Sequence, residues 1–128
     1  MSAEAIEKVV TAYFANMQEM NPEGWIENFA EDAVLYDPVG NPPNLARDTY
    51  QKFFGMLSSI FETLELSTDR IFVGGNQAAA KWTMRVVAKN GKPGIAEGIS
   101  VFEMNESGKI QKVSSYWDDR ALMAQLKS

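Results

Sequence analysis

The chain predicts an α+β fold in which helices pack on one face of an antiparallel sheet. Three observations predict it. Apolar residues recur at helical spacing only in the first half, they alternate through the second half, and turn signals cut that second half into hairpins. At 128 residues the chain is read as one domain, residues 1–128, with no internal repeat, low-complexity tract or linker.

The elements follow in order. Ile6, Val9, Val10, Tyr13, Met17 and Met20 mark an amphipathic first helix from Ala3 to Met20. "NPEGW" offers Asn21 as N-cap and Pro22 at the first helical position of a short second helix reaching about Ala30, with Trp25, Ile26 and Phe29 buried. "AVLYD" reads as a short strand stopped by Pro38 and Gly40. Asp48 and Gln51 have the spacing of a capping box, and Tyr50, Phe53, Phe54, Leu57, Ile60 and Phe61 form the apolar stripe of a third helix. Beyond Leu64 the pattern is sheet. Four strands are divided by Gly74-Gly75-Asn76, Asn90-Gly91 and Glu106-Ser107-Gly108, and "DDRALMAQL" supplies a brief final helix.

Alternation sorts the strand residues into two sets. Trp82, Met84 and Val86 share a face, as do Gly98, Ser100 and Phe102, and Val113, Ser115 and Trp117. Turned toward the helices, and joined by Phe54, these side chains make either the adaptable lining of a ligand pocket or a plain core of the same residues. Lys81, Thr83, Arg85 and Val87 fall on the other, exposed face.

Composition removes many functions. Net charge is −5 with no basic run, which argues against a nucleic-acid or anionic-membrane surface. No stretch approaches the ~20 apolar residues of a membrane span, and the N-terminus lacks signal-peptide character, so a cytoplasmic location is expected. Without cysteine there is no disulfide or thiol catalysis; without histidine there is no Ser-His-Asp triad or ordinary zinc site. Acid–base chemistry then falls to carboxylates, Tyr, Lys or bound water, with no metal or cofactor expected.

The order of elements resembles the nuclear-transport-factor-2-like fold, and "FAEDAVLYDPVGNPP" is similar to the corresponding segment of bacterial ketosteroid isomerases in the SnoaL-like family. The likeness runs without a gap through "DTYQKFF" and returns in "ISVFEMNESGKI". It implies a cone of three N-terminal helices on a curved sheet, enclosing a pocket for an apolar small molecule, and a homodimer. It also implies a steroid delta-isomerase-like reaction. A carboxylate moves a proton next to a ketone, and hydrogen-bond donors hold the resulting dienolate oxygen. Asp37 falls on the base, Tyr13 on the oxyanion-binding tyrosine, and Ser100 where the family has a protonated acid. Phe54, Met84, Trp82, Phe102 and Trp117 would line the pocket.

Each residue also has a purely structural reading. Asp37 before Pro38 can shape a turn, Tyr13 can be core, and Ser100 can be a small strand residue. The departure at Ser100 leaves open a binding protein that holds an apolar ligand in the same pocket without turning it over. "YWDDR" invites comparison with limonene epoxide hydrolases, which use an Arg and two Asp residues around a water. The strand of Arg85 has no acid two residues on, so that constellation is incomplete.

Overall fold

A computed structural model describes all residues, Met1–Ser128. The first helix, α1 (Ala3–Gln18), is capped by the Ser2 hydroxyl, which accepts from the amide of Ala5. It buries Ile6, Val10, Tyr13, Phe14 and Met17, one stripe at helical spacing. Asn21 caps α2 (Pro22–Ile26) as its position before Pro22 predicts.

That second helix stops short of its expected end. Phe29 and Ala30 instead open the strand β1 (Phe29–Tyr36), where Phe29 pairs with Ile110 and its carbonyl accepts from Arg47. Tertiary pairing overrides the helical spacing here. After the two-residue β2 (Asn44–Leu45), α3 (Ala46–Ile60) begins upstream of the expected capping box. Leu45 stands at the N-cap without a side-chain bond, and Asp48 lies in the first turn, where its charge favours the positive helix end. Phe61, expected on that helix, starts β3 (Phe61–Gly74).

The hairpins form as their turn residues predict: β3, β4 (Gln77–Ala88), β5 (Pro93–Met104) and β6 (Ile110–Trp117) pair antiparallel in sequence. The sheet order is β2-β1-β6-β5-β4-β3, and β1 joins β6 in parallel, so the sheet is mixed rather than wholly antiparallel. Helix α4 (Asp119–Leu126) packs on β5, where the side-chain amide of Gln125 both donates to and accepts from the backbone of Ile95. No helix is long and apolar enough to cross a membrane.

Between helices and sheet lies one core. Trp25 and Phe29 meet with ring centroids 4.4 Å apart, and Tyr13 lies edge-on to Phe102 at 4.9 Å. Trp82, Met84, Val86, Ser100, Phe102, Val113 and Ser115 all face inward and are buried, as the alternation predicts. On the opposite face Thr83 is a correction: it is only 7% exposed, because Asp69 and Lys81 close over its hydroxyl.

Candidate active site

The parallel pairing of β1 with β6 sets Asp37. Tyr36 pairs with Ser114, so the next residue emerges beside the end of β6. The Asp37–Pro38 peptide bond is cis, and the amide of Val39 donates to the carbonyl of Ser115 at 2.8 Å, fastening the turn to β6. Asp37 is therefore a turn residue. Its carboxylate accepts from the Trp117 indole, 2.7 Å from Nε1 to Oδ1, and both side chains are partly open to solvent.

Burial raises the Asp37 carboxyl from 3.8 to about 6; the Trp117 bond opposes the rise and the nearby charge of Asp119 adds to it. Such a group is ionised at neutral pH yet more basic than an ordinary aspartate. Tyr13 lies deeper, at 3% exposure, and its phenol is pushed well above 10, first by burial and then by the charge of Asp37. Hydrogen bonding with Ser115 partly offsets that rise. The phenol thus stays protonated and remains a donor.

Ser100 and Ser115 are paired directly across β5 and β6, with their hydroxyl oxygens 2.8 Å apart. The Trp82 indole donates to Ser100 at 3.0 Å. Trp82 and Trp117 meet edge to face, with centroids 5.7 Å apart, over Gly98, which pairs with both. A Cβ at Gly98 would lie 2.5 Å from Trp82 and 2.8 Å from the Trp117 Cβ, so only glycine admits both indoles there.

The interior thus unites Asp37, Tyr13, Trp117 and a buried hydroxyl pair in apolar surroundings. Of the expected lining, Trp82 and Trp117 border these polar groups and Phe102 packs on Tyr13; Phe54 packs on Trp25 farther along the core, and Met84 is buried on β4. Ser115 joins these groups, though the sequence reading did not place it among the candidate residues. Its signal was a second hydroxyl at an inward position, opposite Ser100.

Two open surface grooves, of about 480 and 440 Å³, lie by α4 and touch none of these groups. Solvent-facing side chains rim them, whereas the perturbed acid and the buried donors sit in the interior, which is the better candidate. The Arg–Asp water site does not assemble either. Arg85 is exposed on the outer face, and Asp118 caps α4 by accepting from Ala121.

Residues 10–113 match the SnoaL-like domain family, and the chain belongs to that family. Among curated relatives, a "Steroid Delta-isomerase" of Nocardioides simplex is 27% identical over 118 residues, spanning 91% of this chain and 92% of the relative. Two solved structures share the fold at 19% identity. An LEH-like epoxide hydrolase of M. tuberculosis has a TM-score of 0.79, covering 96% of this chain and 90% of its own. SalBIII, an epoxide hydrolase/cyclase-like enzyme in pyran ring formation, has a TM-score of 0.80, covering 92% and 94%. The architecture is the cone-shaped α+β fold that the resemblance implied.

Proposed function

We propose that the chain is a ketosteroid-isomerase-like enzyme that moves a proton next to a ketone of an apolar small molecule through a dienolate. Asp37 takes the proton from the carbon beside the carbonyl and returns it two carbons away, so no net proton is consumed. Tyr13, helped by Ser100, holds the oxygen that gains negative charge. The observation that carries this reading is a carboxyl raised to about 6 within the influence of a phenol that stays protonated. A base near neutrality suits proton abstraction from carbon, and a preorganised donor in a dry site strengthens as charge develops.

Turnover of a simple β,γ-unsaturated ketone by wild type and Asp37→Asn tests it. Conversion by wild type and a loss of about 10²–10⁴-fold in the variant are expected. Equal rates would exclude Asp37 as the base. One observation favours a second reading, a pocket that binds without turnover: Ser100 stands where the family has an acid, and its hydroxyl is already engaged by Trp82 and Ser115. Tight binding of an apolar ketone with neither isomerisation nor proton exchange would select it.

A further inference from the structure

The chain has three tryptophans, and two of their indole N–H groups already have acceptors: Trp82 donates to Ser100 at 3.0 Å and Trp117 to Asp37 at 2.7 Å. The third, on Trp25, has none. It is the one buried side-chain nitrogen or oxygen that no protein partner reaches, and Trp25 is only 1% exposed. An indole N–H can donate and nothing else, so enclosing it in the core without an acceptor is costly.

Local structure holds the indole where it is. The Trp25 amide donates to the Asn21 carbonyl at 3.0 Å, and the Trp25 carbonyl accepts from the side-chain amide of Asn28 at 3.4 Å. Gly24 lets this turn press on α1, since a Cβ there would lie 2.6 Å from the Asn21 side chain and would also strike Asn16. The backbone of Trp25 is thus bonded while its side chain is enclosed by rings. Centroids of Tyr13 and Phe54 lie at 5.4 Å, Phe29 at 4.4 Å and Phe53 at 5.8 Å. Of these only Tyr13 carries an oxygen, and the indole does not donate to it. A rigidly held, unpartnered donor breaks the rule that buried polar groups are paired, and such breaks concentrate where function outweighs stability.

Tyr13 joins this donor to the candidate site. Its ring packs on Phe102 of β5 at 4.9 Å and on Trp25 of α2. Asp37, Trp82, Trp117 and the serine pair belong to the sheet side of the interior, whereas Trp25 stands on the helix side against Phe53 and Phe54 of α3. One apolar interior therefore holds polar groups at two separate places.

We infer that the Trp25 N–H recognises a second acceptor oxygen on the apolar molecule whose ketone meets Tyr13. The substrate class narrows to an apolar ketone with a further carbonyl, ether or hydroxyl oxygen toward the helix side. A molecule of the same frame without that oxygen leaves the indole unpaired and is discriminated against. This deepens the proposed function and rests on it for the placing of the ketone. Trp25 sets specificity and takes no part in the proton transfer.

The experiment compares 2-decalone with decalin-2,6-dione, which share one rigid frame and differ by one ketone at the far end. The indole N–H resonances of ¹⁵N-labelled protein are followed during titration with each, and the Trp25 resonance is assigned by its loss in Trp25→Phe. It should move with the dione and stay in place with the monoketone. Wild-type selectivity for the dione over the monoketone should fall about 10-fold in Trp25→Phe, and taking the ratio cancels any change in packing that the variant causes. A bound dione that leaves the Trp25 resonance in place, or equal selectivity in the variant, would overturn the inference. The resonance is read in wild type, so this holds even where the variant folds poorly.

Turnover of the β,γ-unsaturated ketone separates this inference from the proposed function. Turnover with an unmoved Trp25 resonance overturns the inference alone. A moved resonance without turnover upholds it and assigns the donor to a pocket that only binds. Failure of wild type to bind either decalin ketone overturns the inference and counts against the proposed substrate class together.

Discussion

Two aspartates of this chain have opposite fates. Asp37, at the end of β1, is partly enclosed by apolar side chains with one indole donor, and its carboxyl is raised to about 6. Asp69, on the outer face, accepts from Lys81 at 2.9 Å, from Thr83 at 2.6 Å and from Ser67, and its carboxyl is held well below the usual carboxylate range. A shift in the pairing of β3 with β4 between Thr68 and Arg70 marks the irregularity where Asp69 sits. Asp69 has two hydroxyls and an ammonium within reach, with Glu97 completing the network on Lys81. Donors and solvent make Asp69 a stable anion, while their scarcity raises the Asp37 carboxyl toward neutrality. Environment, not residue type, separates structural from chemical work.

The comparison can be broken in several ways. After the loss of turnover in Asp37→Asn, Tyr13→Phe should have the largest effect, lowering turnover about 10²–10³-fold by removing an oxyanion donor, while the urea midpoint stays within the range of a small packing change. Asp37→Asn should produce the next effect, on stability. The folded chain holds the Asp37 proton more tightly than the unfolded chain, so its stability is undiminished below about pH 4 and falls as pH rises toward 6, by up to about 3 kcal/mol. The variant lacks that penalty. It should match wild type near pH 4 and exceed it by up to about 3 kcal/mol near pH 8 in urea titrations.

Trp117→Phe sharpens the same point. It removes the one bond that lowers the Asp37 carboxyl, so the acid limb of the kcat/KM profile should move above its wild-type position. A downward move would mean that the indole excludes water rather than holding the anion. Asp69→Asn should have the smallest effect: unchanged turnover, and a slight loss of stability that fades in high salt because its ion pair with Lys81 is open to solvent.

How much of this was legible in the sequence depends on how local each signal is. The hairpin turns and the inward set from Trp82 to Trp117 follow from alternation, and they formed as read. The end of α2 and the end of α3 did not, because Phe29 and Phe61 are claimed by strand partners distant in sequence. Thr83 was misjudged for a related reason: its cover comes from a residue on another strand. Asp37 and Tyr13 stood out through resemblance, and their closeness required the fold. The link from Trp82 to Ser115 was invisible because it depends on register across three strands and on the missing side chain of Gly98.

The central claim is that Asp37 is the base and that its burial tunes it toward neutrality. A carboxyl ¹³C titration of Asp37, run beside kcat/KM for a β,γ-unsaturated ketone over the same pH range, tests this most directly. The account predicts one ionisation near 6 in both, with activity rising as the carboxyl loses its proton and the signal absent from Asp37→Asn. An Asp37 that titrates near its ordinary value of 3.8, with activity turning on elsewhere, would contradict it.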